Sequence, residues 1–500
     1  MCMFWATGAL QSDNPERAKK FLAYPPQAAT PDIGSKYAVY KWDLETLITL
    51  ALNTPKTNLP QFLMQPIDTR QFNSVAELVN ALRAVEEDDT ETRLNTDNIL
   101  LEMHRVSHRQ FAWQRGWARS ADIYRYLYIY GQGACAEYFE TTYGVSISDF
   151  FGVAFGVFAI LRNGLWTGRI TGMELLGIGE DAVTKTYGLL STEIWTTRRE
   201  SLKLLQKFEN SLNITLPVVY QPSFLRVKPL IRSSGLQDKY IAPLPDLIML
   251  RATLGLYYDL APGGTTIMND ATARFEEYAR KSIKALLPAL DPAPAEQYTF
   301  KRNKVDTPDI LLKKDGLVVA VFECKATKLT FEAQYGEDPI LDGKAGYEQI
   351  TKAVFQLWKF FSHVRRGILN INLAGDASAI VLTMEPWTQM SGDLRRRIID
   401  GAHAMAADKD PEIVEEDKRK PLFCPIQDLD ELLMTSTEDE LLETFRTAIE
   451  DKYTGWAVRS IRSRVAPEAA RKDAPFSLGD LLPWWNTVDK EKEKRRTAKK

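Results

Sequence analysis

Cysteine is scarce and widely spaced in this 500-residue chain, which has four cysteines, at positions 2, 135, 324 and 424, and no Cys-x-x-Cys pair. This spacing indicates neither a disulfide framework nor a zinc ribbon. Few and scattered cysteines are typical of a reducing compartment, so we expect a cytoplasmic protein.

The sequence also lacks an excess of one charge and a long apolar run. Lysine and arginine total 63 against 66 aspartates and glutamates, so any basic surface for nucleic acid must be local. The most apolar stretch, residues 149–161, is shorter than the roughly 20 residues that span a bilayer. The first twenty residues lack the basic and apolar regions of a secretory signal. We expect a buried helix at 149–161 and no membrane partner.

What is present is a helical first half followed by a region with short strands, which predicts an α+β or α/β fold with several domains. The predicted segments are a mostly helical domain at 1–215, a short strand-and-helix connecting module at 216–268, a mixed domain at 269–408, and a helical C-terminal extension with a basic tail at 409–500. Capping boxes predict helix starts at Ser74 with Glu77 and at Thr437 with Glu440. The mixed domain is predicted to contain, in order, a helix (271–287), strands (298–302, 309–313 and 317–325), a helix (346–363) and a strand (378–384).

Residues 307–327, TPDILLKKDGLVVAVFECKAT, form a predicted apolar hairpin with charges at one end. Asp315-Gly316 is a turn signal, and the turn length decides which side chains share a face. A two-residue turn places Asp309 and Glu323 on opposite faces. A three-residue turn ending at Gly316 places Asp309, Glu323 and Lys325 on one face. We predict the three-residue turn, because only this register gathers the charges without further distortion.

Two carboxylates that converge at a buried strand end repel each other, and a divalent cation would relieve the repulsion. Mg²⁺ prefers oxygen ligands and uses one or two carboxylates with water and phosphate. The predicted ligands are therefore Asp309, Glu323 and the backbone carbonyl of Cys324, and Mn²⁺ is expected to substitute. Lys325 would orient or deprotonate a water and stabilise charge on phosphate. The alternative is a simple ion pair between Glu323 and Lys325 at a strand edge, since so short a motif recurs by chance.

The residues Pro308-Asp309, thirteen intervening residues and Glu323-Cys324-Lys325 resemble the motif of the PD-(D/E)xK nuclease superfamily. The resemblance covers about 271–384. It implies a restriction-endonuclease-like αβββαβ core, Mg²⁺-dependent hydrolysis of phosphodiester bonds, and nucleic acid, above all DNA, as the partner. It also implies that a glutamate of the preceding helix approaches the metal. In RFEEYARKSI that residue is Glu276, with Glu277 as the second choice.

The segment YEQITKAVFQLWKF resembles the next helix of the family, on which Gln349, Lys352 and Gln356 share one face. The resemblance implies that this face meets the substrate, although plain solvent exposure would explain it equally. Lys328, in ECKATK, either contacts phosphate or is solvated. Together with these motifs, residues 229–260 resemble long bacterial nuclease-like proteins, which implies a role in antiviral defence or restriction.

Residues 104–125 interleave arginines with Phe111, Trp113 and Trp117. Such a pattern fits a nucleic-acid surface, or amphipathic helices with aromatics in the core and arginines in solvent, which we favour. His104 and His108 lack an HExxH pattern and are expected to be structural rather than zinc ligands.

The expected function is that of a Mg²⁺-dependent DNA endonuclease. Its helical first half would select the substrate, recruit a partner protein, form a homo-oligomer or hold the nuclease inactive. The alternative is a non-catalytic subunit that binds nucleic acid or assembles a complex while retaining the nuclease fold.

Overall fold

The computed structural model describes residues 1–55, 67–93, 99–233, 239–336, 338–386, 392–468 and 470–497. The chain divides into two compact units. Unit 1 comprises Met1–Asn95, His108–Ile267 and Leu478–Lys500, and unit 2 comprises Thr96–Ser107 and Met268–Ser477. These boundaries differ from the four segments drawn from the sequence, since 216–267 fold with unit 1 and 409–477 with unit 2.

Helices and strands are mixed, as an α+β fold requires. The helices are α1 (Cys2–Leu10), α2 (Lys41–Asn53), α3 (Phe72–Arg93), α4 (Ile99–Arg115), α5 (Ser120–Tyr130), α6 (Gly133–Tyr143), α7 (Ile147–Asn163), α8 (Glu180–Leu190), α9 (Ile194–Leu212), α10 (Asp246–Ala252), α11 (Leu256–Leu260), α12 (Gly264–Leu286), α13 (Phe331–Tyr335), α14 (Pro339–Asp342), α15 (Lys344–Arg365), α16 (Gly392–Lys409), α17 (Ile426–Thr435), α18 (Glu438–Ala448), α19 (Val458–Val465) and α20 (Trp485–Thr497). The strands are β1 (Ser191–Glu193), β2 (Leu230–Ser233), β3 (Lys239–Ile241), β4 (Asp291–Pro294), β5 (Gln297–Phe300), β6 (Asn303–Asp306), β7 (Ile310–Lys314), β8 (Leu317–Lys325), β9 (Leu373–Thr383) and β10 (Pro421–Pro425).

Unit 2 is built on a five-stranded sheet in the order β10-β9-β8-β7-β4. Strands β4, β7 and β8 pair antiparallel, whereas β8, β9 and β10 pair parallel. The longest apolar run in this unit, β8, therefore lies at the centre, where a strand is buried on both faces.

The two faces of this sheet are covered by different helices. Val321 of β8 and Val381 of β9 belong to the apolar cluster that α15 and α16 complete. Side chains alternate along a strand, and Phe322, the next residue of β8, makes an edge-on contact of 6.0 Å with Phe445 of α18. Glu323, two residues after Val321, therefore emerges on the α15 face.

The first strand of the sheet is not the predicted one. The predicted strand at 298–302 lies in a separate two-stranded sheet formed by β5 and β6, and β4 takes its place in the main sheet. Proline lacks the N–H that a sheet ladder needs and is confined to sheet edges. The edge position of β4 accommodates Pro292 and Pro294, which disfavoured a strand in the sequence. Strand β10, in the segment expected to be helical, completes the other edge.

Unit 1 is mainly helical, with a small sheet of β1, β2 and β3. Its helix α7 starts where the Ser146 hydroxyl accepts a hydrogen bond of 3.0 Å from the amide of Asp149. The buried helix predicted at 149–161 is confirmed. Among the described residues no single helix is long and apolar enough to cross a membrane, although α6 and α7 together, bent by 71°, satisfy that test of length and composition.

The two capping-box predictions have different outcomes. In α18 the Thr437 side chain and the Glu440 side chain cap each other's backbone amides, as predicted. The box at Ser74 is wrong, because α3 already begins at Phe72. The Phe72 amide donates to the carbonyl of Ala23 over 2.9 Å, and its ring is buried. A long-range contact therefore starts this helix early.

The arginine-rich stretch of unit 1 is buried. Trp113 and Trp117 are each 6% exposed, as the favoured alternative requires, but Arg109 is only 5% and Arg125 only 1% exposed. That alternative expected the arginines to lie in solvent, but neither of these two does. Neither is free to contact nucleic acid. Their charges are neutralised by carboxylates within unit 1.

Asp43 is the centre of one such ion-pair network. Its carboxylate lies 3.1 Å from Arg109 and 3.0 Å from Arg83, and Arg109 also pairs with Glu86 at 2.8 Å. Asp43 itself is 2% exposed. Loss of one partner from such a pair leaves an uncompensated buried charge.

We therefore expect Asp43→Ala to destabilise unit 1 by about 3 kcal/mol or more. Alanine favours helices, so weakened propensity in α2 cannot explain a loss. Hydrogen exchange of the α2 amides would measure the free energy of opening. Glu16→Ala is the control: its exposed pair with Lys19 should change stability by no more than about 0.5 kcal/mol. Equal effects of the two substitutions would contradict the network's role.

Candidate active site

The turn of the β7–β8 hairpin has two residues, so the predicted three-residue turn is wrong. Lys314 pairs with Leu317, and the turn residues Asp315 and Gly316 have φ of 50° and 78°. Two left-handed residues define the tight turn whose twist matches antiparallel strands, and Asp-Gly is among its favoured pairs. The backbone preference of Asp315-Gly316 therefore determines the length of the turn.

A β-bulge restores the shared face that the turn alone would remove. Lys313 pairs with Val318 but Leu312 pairs with Ala320, so the ladder passes over Val319. Beyond the bulge Ile310 lies opposite Phe322. Continued by one residue, the same register places Asp309, which precedes Ile310, opposite Glu323. Because a one-residue slip exchanges the faces of a strand, the bulge brings both carboxylates to one face.

Asp309 is fixed to β8 by the backbone. Its Oδ2 accepts a hydrogen bond of 2.6 Å from the amide of Cys324. Burial raises the pKa of Asp309, and the charge of Asp306 adds to the rise, while Lys325 and the hydrogen bond from Cys324 oppose it. The carboxylate is held at a defined position in spite of an environment that disfavours its charge.

Glu323 and Lys325 form a buried ion pair. Lys325 Nζ lies 2.7 Å from Glu323 Oε1, and Glu323 is 2% exposed. Burial raises the pKa of Glu323 to about 7 against the effect of Lys325, and the charges of Asp309 and Glu276 add to the rise. Burial lowers the pKa of Lys325, but Glu323 and Asp309 outweigh it, so the net pKa is raised. The lysine is therefore protonated at neutral pH.

Glu276 of α12 belongs to the same group of charges. Burial raises the pKa of its carboxyl to about 7, and Asp309 contributes to the rise, whereas Lys325 and Arg280 oppose it. Asp309 and Lys325 thus lie within electrostatic reach of Glu276. The choice of Glu276 over Glu277, which is also partly buried, stays a prediction.

The sequence reasoning missed Arg280, which lies one helical turn after Glu276 and acts on its pKa. The buried Nε of Arg280 has no hydrogen-bond partner among the described residues. The i, i+4 spacing from Glu276 was the signal that could have found it, since such residues share a helix face.

The predicted substrate-binding residues of α15 differ in exposure. Gln349 and Lys352 are exposed and Gln356 is partly buried. The Oε1 atom of Gln356 is buried and accepts no hydrogen bond from the part of the chain that the structure describes. The helix therefore presents Gln349 and Lys352 to solvent.

Lys328 is buried rather than solvated. Its side chain is 3% exposed, and its Nζ lies 3.6 Å from Glu385. Burial lowers its pKa to about 8, with Glu385 opposing the shift. The Lys328 ammonium is therefore the partner of Glu385 in a buried ion pair.

His104 is also buried, as expected of a structural histidine. Its Nε2 lies 3.3 Å from the carbonyl of Ala333 within unit 2, and burial lowers its pKa to about 4. Its neighbour Arg105 donates a hydrogen bond of 2.5 Å to the carbonyl of Gly336. These two side chains connect the start of α4 to the segment between β8 and α15.

The chemistry of the donors at the strand end can accommodate a hard cation. Asp309, Glu323 and Glu276 interact electrostatically with one another and with Lys325, and Arg280 acts on Glu276. Among the residues described, no group of three or more His, Cys, Asp or Glu side chains surrounds one metal position. Asp309, Glu323 and the Cys324 carbonyl offer oxygen atoms of the type that Mg²⁺ prefers, and water and phosphate commonly complete its coordination.

Comparison of the chain with protein-family models, curated proteins and solved structures gives no match.

The raised carboxyl pKa values predict how the metal-free protein responds to pH. Glu276 and Glu323 have folded pKa values of about 7, above the ordinary value of 4.5. The folded state therefore binds these protons more tightly than the unfolded state. The resulting stabilisation is complete below the ordinary pKa and is lost as the pH rises through about 7.

We therefore expect Glu323→Gln to lose less stability than wild type between about pH 5 and pH 8. Thermal unfolding in EDTA at several pH values would measure the difference. Glu348→Gln, at an exposed position on α15, should keep the wild-type dependence. Identical pH dependence in wild type and Glu323→Gln would contradict the burial of a protonatable carboxyl.

Proposed function

We propose that this protein is a Mg²⁺-dependent nuclease of the PD-(D/E)xK type, which hydrolyses phosphodiester bonds of DNA as an endonuclease. The observation that carries the proposal is the bulged register of β7 and β8, which, continued one residue beyond Ile310, sets Asp309 opposite Glu323, the ion-pair partner of Lys325. A simple ion pair would need only Glu323 and Lys325. The additional carboxylates of Asp309 and Glu276 raise the electrostatic cost and are explained by a bound cation.

The order of elements in unit 2 supports the same proposal. Helix α12, strands β4, β7 and β8, helix α15 and strand β9 follow in this order. The β5–β6 hairpin is inserted after β4, and the short helices α13 and α14 are inserted after β8. Apart from these insertions, this is the αβββαβ order that a restriction-endonuclease-like core would have. The candidate residues lie at the end of its central strand.

A division of roles among the residues follows from their charges. Asp309, Glu323 and the Cys324 carbonyl would hold Mg²⁺ or Mn²⁺, which supplies Lewis-acid polarisation of a phosphoryl oxygen when bound. Lys325, protonated because its pKa is raised, would stabilise negative charge that develops on the phosphate and would orient the attacking water. Its role is therefore that of a cation rather than a base.

Glu276 and Arg280 would assist from α12. A carboxyl with a pKa of about 7 can accept and release a proton near neutral pH, which suits a group that positions water. The guanidinium of Arg280, one helical turn after Glu276, would donate hydrogen bonds to a phosphate oxygen. We further propose that this nuclease acts in bacterial antiviral defence or restriction, and that unit 1 recognises the substrate or assembles with a partner.

The experiment is a nuclease panel on plasmid, linear duplex, single-stranded DNA and RNA in Mg²⁺ or Mn²⁺. We expect DNA cleavage by wild type, and a loss of about 100-fold or more in Asp309→Asn and Lys325→Ala, because the first removes a carboxylate that would hold the metal and the second removes the cation that would stabilise charge on the phosphate. Asparagine keeps an oxygen that can accept from Cys324, so the fold should be retained.

The matched control for Asp309→Asn is Asp315→Asn in the turn of the same hairpin. Asparagine tolerates the left-handed backbone there, so this variant should cut like wild type. Wild-type cleavage by Asp309→Asn or Lys325→Ala would refute the proposal. A wild-type protein that binds DNA but cuts no substrate would instead support the non-catalytic alternative.

A further inference from the structure

The β5–β6 hairpin carries a basic tip that the proposed chemistry does not use. Phe300 pairs with Asn303, so Lys301 and Arg302 form its two-residue turn, with φ of 47° and 69°. Turns of this kind favour Asn and Gly, because residues with a longer side chain resist positive φ. A lysine and an arginine in this conformation raise the free energy of the folded state, and a function of these two side chains would explain why they are present.

The charges of the tip are exposed and unneutralised. Lys301, Arg302 and Lys304 are all exposed, and none of them forms an ion pair with a carboxylate of the described residues. The Lys301 ammonium lies over the ring of Phe300, 5.1 Å from its centroid. Three like charges this close together repel one another, so a polyanion would bind here favourably.

The base of the hairpin is fixed to the end of α15. The Tyr298 hydroxyl lies 2.7 Å from Nδ1 of His363, and His363 Nε2 lies 3.2 Å from Asp410. The Phe300 ring packs 4.3 Å from the His363 ring, which is fully buried. The tip is therefore held in place before any ligand arrives, which reduces the entropy lost on binding.

The hairpin leads directly into the candidate active site. Strand β6 ends at Asp306, three residues before Asp309, and the charge of Asp306 influences the pKa of Asp309. Arg302 and Asp306 are four positions apart along the chain, which corresponds to about 13 Å of extended strand. A DNA duplex has a helical repeat of about 34 Å, so one bound duplex could reach both the tip and the site.

We propose that the tip of the β5–β6 hairpin, through Lys301, Arg302 and Lys304, binds the phosphate backbone of duplex DNA beside the phosphate that is cut. This inference rests on the proposed function and adds to it a backbone-binding surface. Contacts of this kind position the duplex and carry no base preference.

The test is a binding titration with a fluorescein-labelled 30-base-pair duplex, followed by anisotropy at several salt concentrations. All proteins would carry Asp309→Asn to prevent cutting. The hairpin variant is Lys301→Asn, Arg302→Gly and Lys304→Gln, which removes three charges while supplying the residues that the turn prefers. Misfolding of the hairpin therefore cannot explain a loss of binding.

A second triple variant controls for net charge. Lys344→Gln, Lys420→Gln and Lys452→Gln also remove three charges, but these lysines are paired with Glu348, Asp451 and Glu450. We expect the hairpin variant to bind the duplex at least about 10-fold more weakly at moderate salt. Its slope of log affinity against log salt should be smaller by about 2 to 3, since each phosphate contact contributes about 0.9. The control should keep the slope of the parent protein.

The outcomes separate this inference from the proposed nuclease activity. Equal affinity and slope in the hairpin variant and its parent, an equal loss in the control, or no duplex binding by the parent would overturn the inference. None of these results bears on the proposed nuclease activity, which the cleavage panel with wild-type protein tests separately. Conversely, the hairpin variant could lose duplex affinity as expected while the wild-type protein cuts no substrate. That result would support the binding surface and contradict the nuclease activity.

Discussion

Unit 2 holds Glu276, Asp309 and Glu323 together although burial and their mutual repulsion both disfavour their charges. Burial is the main reason that the pKa values of Glu276 and Glu323 are raised to about 7; the charge of Asp309 adds to both shifts, and Lys325 opposes them. Folding alone would favour removal of such a group. The backbone instead holds it together, through the bulge at Val319 and the hydrogen bond from Cys324 to Asp309. The stored repulsion is what a divalent cation would release.

Unit 2 separates its charges according to solvent access. The acidic group lies at the buried end of the central strand, and the unpaired lysines and arginine lie on the exposed tip of the β5–β6 hairpin. A metal ion would reach the first and a phosphate backbone the second. The contact of Tyr298 with His363 fixes the hairpin to α15, and α15 packs on the sheet that contains the acidic group. The two charged regions are therefore parts of one rigid framework.

Much of this framework was predictable, and the failures have physical causes. The sequence identified the central strand, the helices on either side of it and the charged residues at its end. It misjudged the turn, since a bulge at Val319 leaves no mark in a run of valines and alanine. It missed β4, because only the sheet order shows that Pro292 lies at an edge. It placed the arginines in solvent, because Arg109 and Asp43 are far apart in the sequence and form their ion pair only in the folded protein.

Anomalous diffraction from a crystal grown with Mn²⁺ would show whether Asp309 and Glu323 bind a metal ion. We predict an anomalous peak within coordination distance, about 2.0–2.4 Å, of oxygen atoms from Asp309 and Glu323. The same peak should be absent from crystals of Asp309→Asn. A well-ordered site without a peak at millimolar Mn²⁺, or a peak that persists unchanged in that variant, would contradict the assignment of these carboxylates as metal ligands.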